Sequence, residues 1–205
     1  TVDGIMATRI SVELWSEDRA AGEAAIDAVM AEMNRIDAAM STYKSDSELS
    51  RVNALAAKQA VKLTPELFEL LATSLEYSRL TGGAFDVTYA SVGFMYDFRA
   101  RHRPTEQQIS QALPAVNYRL VQLDRKAQTV RYLRAGVRID LGGIAKGHAV
   151  DRGIALLQQR GISHALVTAG GDSRVEQARA VEVGRQTVLV RDRRDITLPR
   201  GEASL

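Results

Sequence analysis

Residues 140–151 read Asp-Leu-Gly-Gly-Ile-Ala-Lys-Gly-His-Ala-Val-Asp, and this stretch decides how the chain is interpreted. The apolar residues Val137–Ile139 predict a strand that runs into Asp140, and the pattern after the two glycines predicts a helix from Ile144 to Gln159. Backbone N–H groups at such a helix start could face a phosphate, with Lys146 adding positive charge in the first turn. The spacing is neither that of a P-loop nor that of the dinucleotide fingerprint. Taken alone, it is also explained by a tight strand-to-helix turn with a solvated lysine.

Two further clusters also combine a pair of adjacent glycines with an acid. They are Gly82-Gly-Ala-Phe-Asp86 and Gly170-Gly-Asp-Ser173. Glycines let a ligand approach the backbone closely and permit positive φ angles. An acid on such a loop can accept a hydrogen bond from a ligand ring or ribose, or bind a metal. The three clusters are therefore the candidate functional loops.

Hydrophobic periodicity outside these loops predicts an α+β fold rather than strict alternation of strands and helices. A long helix is expected over 18–40, where one apolar stripe recurs at helical spacing, and a second helix is expected to begin with Thr64 as N-cap and to stop at Gly82-Gly83. A hairpin is expected through Asp124–Gln128. The remaining expected elements are strands over 6–15, 58–63, 164–168 and 186–191, and short helices over 47–57 and 104–113.

Composition excludes several classes of function. The 205 residues include no cysteine, so disulfides, thiolate zinc sites and cysteine nucleophiles are ruled out. The formal net charge of +2 does not indicate a nucleic-acid-binding protein. No stretch approaches the roughly 18 apolar residues of a membrane-spanning helix. The three histidines, His102, His148 and His164, show no metal-ligand spacing and are expected to be structural or exposed.

In these loops and in several other segments, the sequence resembles the ApbE-type flavin transferases. The stretch 140–151 is similar to the signature of that family, and four other segments follow in the family's order. They are Met6-Ala-Thr8, Met40-Ser-Thr-Tyr43 with Ser47-Glu-Leu-Ser-Arg-Val-Asn53, Thr81-Gly-Gly-Ala-Phe-Asp-Val-Thr88, and Ala169-Gly-Gly-Asp-Ser173. The resemblance implies mixed and antiparallel sheets flanked by helices, in an ApbE-like, T-fold-related flavin transferase fold. It also implies one such domain over residues 1–205, incomplete at the C-terminus.

The resemblance further implies an activity. The family binds FAD and Mg²⁺, breaks the pyrophosphate and transfers FMN to a threonine or serine hydroxyl of a flavin-acceptor protein, with release of AMP. In such phosphoryl transfer, positioning and charge neutralisation supply most of the catalysis. Two other interpretations remain open: a flavin-binding protein without transferase activity, and a structural or assembly domain that kept the fold and lost the ligand. The family also suggests a periplasmic or membrane-anchored protein, with the cytoplasm as the alternative.

By resemblance, several residues of this chain stand at positions where the family has binding residues. Met6 and Tyr43 match positions that line the flavin site, and the Gly143 carbonyl matches a metal ligand, a role that suits Mg²⁺. No catalytic residue is assigned. Each side chain also has a plainer explanation: Tyr43 as a core or surface tyrosine, Phe85 as core, and the acids as turn residues. The positions matched to contacts with the cofactor are Ala84, Phe85, Asp86, Asp140 and Lys146.

The sequence departs from the family pattern in two places. His148 stands where the family usually has tyrosine. The chain also stops before the family's Ser-Thr-Ser-Gly, Asp-Pro-x-Thr-Gly and Ala-Asp-x-x-x-Thr segments, the last of which supplies side-chain metal ligands. The expectation is therefore that the chain as given holds Mg²⁺ poorly and transfers little FMN.

Overall fold

Helices and short antiparallel strands alternate irregularly along the chain, as the hydrophobic pattern predicted. The computed structural model describes residues 1–97 and 100–176 in full and the backbone of 181–183 and 186–188. The helices are α1 (Arg19–Met40), α2 (Glu48–Leu55), α3 (Pro65–Leu80), α4 (Ala90–Gly93), α5 (Glu106–Ala112) and α6 (Ala145–Gln159). The strands are β1 (Val2–Ile5), β2 (Thr8–Leu14), β3 (Val61–Lys62), β4 (Val121–Asp124), β5 (Thr129–Tyr132), β6 (Ala165–Ala169), β7 (Asp172–Glu176), β8 (Val181–Val183) and β9 (Gln186–Val188).

The chain divides into two compact units. The first comprises Thr1–Met33 and the residues from Ala149 onward, and the second is Asn34–His148. The two boundaries fall inside α1 and α6. Each unit is described by itself below.

The first unit contains a four-stranded antiparallel sheet in the order β1-β2-β6-β7. Alternate residues of β2 and β6, among them Ile10 and Val167, are buried. Gly153 of α6 lies so close to its neighbours that an added Cβ would meet Val29, Met33 and Val167 at 3.1–3.3 Å. The glycine therefore permits tight packing between α1, α6 and β6. Strands β8 and β9 pair with each other as an antiparallel hairpin.

The predicted strand over 6–15 is shorter than expected at its start. Met6 and Ala7 have φ angles of 52° and 54° and form the tight turn between β1 and β2, so the strand begins only at Thr8. Two consecutive left-handed residues suit the two-residue hairpin turn, although neither is glycine. Strand β1, which precedes this turn, was not predicted. Of the predicted strand 186–191, residues 186–188 form β9 and the rest lies outside the described residues.

Helix α3 gives the second unit much of its core. Leu67, Leu71 and Leu75 are buried at helical spacing, as predicted. The Thr64 hydroxyl accepts a hydrogen bond from the Leu67 N–H, and a proline occupies the first helical position. The predicted capping of this helix is therefore confirmed. The second unit also contains the small antiparallel sheet β3-β5-β4, in which β4 and β5 form the predicted hairpin.

The segment Val137–Ile139 is not a strand, contrary to the prediction from its apolar residues. Its hydrogen bonds go to the side chains of Ser91 and Asn53 instead of to a neighbouring strand: the Arg138 N–H donates to the Ser91 hydroxyl oxygen at 2.9 Å. The Ile139 N–H donates to Asn53 Oδ1 at 2.8 Å, and Asn53 Nδ2 donates to the Ile139 carbonyl at 2.9 Å. The buried Tyr132 hydroxyl donates to the same Asn53 Oδ1 at 3.0 Å. The Asn53 amide thus fixes the backbone of Ile139, the residue directly before Asp140.

The other helix predictions hold within one or two residues at each end. The segment predicted as helix 104–113 forms α5, which begins with a capping box between Thr105 and Gln108. The segment predicted as helix 144–159 forms α6, and Gly161 beyond its end has a φ of 77°. Among the described residues, no helix is both long enough and apolar enough to cross a membrane.

Candidate functional site

Asp140 is the centre of the polar cluster in the second unit. Its Oδ1 accepts hydrogen bonds from the Gly142 N–H at 2.7 Å and from the Tyr89 hydroxyl at 3.0 Å. Its Oδ2 accepts from the Thr42 hydroxyl at 3.0 Å. Thr42, Tyr89, Asp140 and Gly142 are called the Asp140 cluster below. The carboxylate is thus held in one orientation from three separate parts of the sequence.

The turn after Asp140 leads directly into α6. The N–H groups of Ile144 and Ala145 both donate to the Leu141 carbonyl, at 2.9 and 2.7 Å. Together with the Gly142 N–H, three backbone donors at this helix start already have acceptors inside the protein. The predicted phosphate contact therefore cannot use these three N–H groups without breaking existing bonds, and for the remaining N–H groups it stays a prediction.

Lys146 lies in the first turn of α6, as predicted. Its Nζ donates to the Gly142 carbonyl at 2.9 Å. The half-buried side chain therefore folds back over the glycine turn instead of extending into solvent. This places a positive charge beside the Asp140 cluster without pairing it to the Asp140 carboxylate.

The loop 82–86 lies against the glycine turn. A Cβ added to Gly143 would sit 3.2 Å from Cε2 of Phe85. The Phe85 ring also meets the ring of Tyr77 edge-on, with centroids 6.4 Å apart. The Asp140 N–H donates to the Val87 carbonyl at 2.9 Å. The structure thus brings two of the three predicted loops together, with Ala84 exposed at the surface of the first.

Asp86 is used within this loop. Its Oδ1 accepts from the Thr88 N–H at 2.8 Å and from the Thr88 hydroxyl at 2.6 Å, and its Oδ2 accepts from the Tyr118 N–H at 2.9 Å. These bonds are those of a turn and capping residue. They fix the loop beside Gly143, and a direct contact between Asp86 and a ligand stays a prediction.

Tyr43 follows Thr42 and is 94% exposed. The interpretation of Tyr43 as a core tyrosine is therefore wrong, and its ring face is available for stacking. The pKa of Tyr89 is raised to about 12. The largest cause is burial, followed by the charge of Asp140 and its hydrogen bond to Tyr89, and the smallest cause is the nearby Tyr43. Tyr89 consequently stays protonated at neutral pH and donates its hydrogen to Asp140.

Met6 and the third glycine cluster belong to the first unit. Met6 is half-buried in the β1–β2 turn. The β6–β7 turn lies beside that hairpin: the Gly170 N–H donates to the Arg9 carbonyl at 3.0 Å, and a Cβ on Gly170 would meet Thr8 Oγ1 at 2.6 Å. The two turns are therefore neighbours at one end of the sheet, and the predicted contact of Met6 with a flavin stays a prediction.

His148 has a structural partner in the second unit. Its Nε2 lies 2.9 Å from Glu66 Oε1, and Arg35 Nη1 lies 2.8 Å from Glu66 Oε2. Hydrogen bonding from Arg35, with a smaller contribution from His148, lowers the pKa of Glu66. The expectation that this histidine is structural agrees with these contacts.

Mg²⁺ is not accounted for by the side chains that the structure describes. Over 1–97 and 100–176 no group of three or more histidine, cysteine, aspartate or glutamate side chains could hold a metal ion. The first helical hydrogen bond of α6 joins the His148 N–H to the Ile144 carbonyl. The Gly143 carbonyl therefore lies just before the first carbonyl that accepts a helical hydrogen bond. A carbonyl alone does not satisfy an ion that prefers six oxygen ligands. The described residues thus do not make a magnesium site by themselves.

The chain is similar to one known protein family over most of its length. The model of the ApbE family matches residues 6–199. The FAD:protein FMN transferase of Haemophilus influenzae is 32% identical over 158 residues, which cover 74% of this chain and 45% of that protein. The FAD:protein FMN transferase of Treponema pallidum is 28% identical over 176 residues, which cover 82% of this chain and 49% of that protein.

The chain is also similar to a solved structure of an ApbE protein. The crystal structure of the ApbE protein from Thermotoga maritima is 29% identical to the chain and superimposes with a TM-score of 0.77. The match covers 84% of this chain and 57% of that one. The chain thus spans about half the length of the curated relatives it matches.

Proposed function

Since the chain belongs to the ApbE family and has its α+β fold, we propose that it serves in the transfer of FMN from FAD to an acceptor protein. In this reaction a threonine or serine hydroxyl of the acceptor attacks the phosphorus of the FMN half. A new P–O bond forms, the pyrophosphate bond breaks, AMP leaves and the hydroxyl proton is released. The family suggests a periplasmic or membrane-anchored location for this activity, which is part of the proposal.

The observation that carries the proposal is the grouping of an oriented carboxylate, an ammonium group and an exposed aromatic ring in one unit. Asp140 offers a fixed acceptor, and Lys146 donates to the carbonyl of Gly142, whose N–H donates to that acceptor. Tyr43 is exposed next to Thr42, which donates to that carboxylate. A flavin nucleotide has matching groups: N–H and O–H donors, a diphosphate, and planar rings that stack on an aromatic face.

Each residue then has a defined part. Tyr43 stacks on a ring of FAD, and Phe85, held against the Gly143 turn, closes the apolar side of the site. Asp140 accepts from an N–H or O–H group of FAD. Lys146 neutralises charge on the diphosphate, which becomes more negative on the leaving AMP as the bond breaks. Mg²⁺, when bound, would neutralise phosphate oxygens in the same way, and the described residues supply only the Gly143 carbonyl to it.

The test is covalent labelling of an acceptor protein. The chain is incubated with FAD, Mg²⁺ and a protein that carries FMN on a threonine in its mature form, prepared without flavin. Transfer gives a fluorescent acceptor band on a denaturing gel and an acceptor mass increased by one FMN. Asp140→Ala and Lys146→Ala should lower the labelling rate, whereas Lys126→Ala, on the exposed β4–β5 turn, should not. Measurable labelling at equal rates in all four proteins would contradict the proposed site.

A second candidate function is flavin binding without transfer. The engagement of Asp86 and Asp140 in hydrogen bonds inside the protein favours it, because both acids then serve as fixed acceptors rather than as metal ligands. FAD binding without labelling of the acceptor would support this candidate. Absence of both would support an assembly domain that has lost its ligand.

A further inference from the structure

The carboxylate of Asp140 has limited room for a ligand. An ionised carboxylate offers about four acceptor positions, two on each oxygen. Oδ1 already accepts from the Gly142 N–H and the Tyr89 hydroxyl, and Oδ2 accepts from the Thr42 hydroxyl. One acceptor position therefore remains, and it is on Oδ2.

Tyr89 is held firmly enough to define this arrangement. The Asp140 N–H donates to the carbonyl of Val87, two residues before Tyr89, so backbone and side chain both join the two segments. A Cβ added to Gly93 would meet the Tyr89 ring at 3.0 Å, so the ring lies directly over that glycine. The tyrosine thus reaches Asp140 along a fixed path.

We propose that Tyr89 is a positioning residue of the FAD site, which saturates Oδ1 of Asp140 and leaves Oδ2 to accept a single N–H or O–H donor of FAD. This inference rests on the proposed function. It makes Tyr89 act through Asp140 and not through contact with the ligand. Thr42 has the complementary task of occupying the other position on Oδ2. The raised pKa of Tyr89 agrees with a phenol that remains a donor to the carboxylate.

The first experiment is a titration of FAD into the chain, followed by quenching of flavin fluorescence. Tyr89→Phe removes only the hydroxyl, and we expect it to weaken FAD binding by about 3- to 10-fold, because the Asp140 carboxylate loses one of the three hydrogen bonds that orient it and keeps the other two. The matched control is Tyr77→Phe, because Tyr77 and Tyr89 are both 51% exposed. The control should bind FAD as the unaltered chain does.

The second experiment asks whether Tyr89 acts through Asp140. In an Asp140→Asn background, Tyr89→Phe should change the FAD affinity by less than about twofold, because the oriented carboxylate is already gone. Thr42→Val should weaken binding in the unaltered background and Thr42→Ser should restore it. A tyrosine that only stabilised the fold would not produce this pattern of coupling and rescue.

A third measurement is independent of FAD. The six tyrosines are labelled at the phenol carbon and followed by NMR as the pH rises. The resonance that disappears in Tyr89→Phe should titrate at a lower pH in Asp140→Asn than in the unaltered chain, because the neighbouring negative charge has been removed.

The outcomes separate the two proposals. FAD binding by the unaltered chain together with an unchanged affinity in Tyr89→Phe would overturn the role of Tyr89 and leave the proposed function standing. An equal effect of Tyr89→Phe with and without Asp140 would also overturn it. No FAD binding by the unaltered chain would overturn both proposals, and the NMR titration would then report only whether the Tyr89–Asp140 hydrogen bond exists.

Discussion

Replacement of Asn53 by alanine tests whether one side chain fixes the backbone in front of Asp140. The Asn53 amide joins three groups: the N–H and the carbonyl of Ile139, and the hydroxyl of Tyr132. Ile139 is fully buried and Tyr132 is 2% exposed, so water does not reach these groups in the native protein. Asn53→Ala leaves all three without a partner.

The magnitude follows from the number of orphaned groups. A buried polar group without a partner costs about 1–3 kcal/mol, so three such groups would cost about 3–9 kcal/mol. The space left by the deleted amide can admit about one water molecule, which can satisfy one group. The two remaining groups give an expected decrease in the free energy of unfolding of about 2–6 kcal/mol. This is a large part of the total for a domain of ordinary stability, which is about 5–15 kcal/mol.

Urea unfolding followed by far-UV circular dichroism measures this loss. The matched control is Asn117→Ala, since Asn117 makes one exposed capping bond, to the Arg119 N–H, and should cost about 1 kcal/mol. Tyr132→Phe removes one donor and no acceptor, so it should also cost only about 1 kcal/mol. A loss in Asn53→Ala no larger than that of Asn117→Ala would refute the view that the amide holds the backbone of Ile139 in place of a neighbouring strand.

Three further predictions concern the two units separately. Asp140→Ala and Lys146→Ala should each weaken FAD binding by about 1–3 kcal/mol, measured by calorimetric titration, and unchanged affinity in both would remove them from the site. Tyr43→Ala should bind FAD more weakly than Tyr43→Phe, since the ring face matters more than the hydroxyl, and equal losses would point to the hydroxyl instead. Gly170→Ala should lower the free energy of unfolding by about 2–3 kcal/mol, because its φ is 64° and its Cβ would meet Thr8 Oγ1 at 2.6 Å. Gly171→Ala, with nothing within 4 Å of the new Cβ, should change it by less than about 0.5 kcal/mol, and similar losses in the two variants would contradict this account.

The helices were predictable because their signals are local. The stripe of α1 and the Thr64-Pro65 start of α3 depend on residues within one or two turns, and both appear where expected. The glycine pairs likewise marked the loops correctly. The family and its fold followed from the order of five segments, and the comparisons confirm both.

Contacts between distant residues were not predictable in the same way. The apolar residues of 137–139 predicted a strand because a buried loop and a buried strand can show the same apolar pattern. Nothing in the nearby sequence indicated that Asn53 would supply the hydrogen-bond partners of the Ile139 backbone. The Met6 turn was missed because neither of its left-handed residues is a glycine. Thr42 and Tyr89 were missed as partners of Asp140, although Thr42 lies directly beside the predicted Tyr43. The binding roles of the matched residues, and the single domain over 1–205, stay predictions.

The residues of the Asp140 cluster lie far apart in the sequence, and this separation has a consequence for folding kinetics. Thr42 and Tyr89 are 98 and 51 positions away from Asp140, and Asn53 is 86 positions from Ile139. Closing loops of this length costs entropy that only a largely packed core can offset. We therefore expect the fixed acceptor to form late in folding, so that a half-folded chain would expose Tyr43 and Phe85 without offering a ligand the oriented carboxylate. FAD held by that carboxylate would select the finished native state and increase its share of the population.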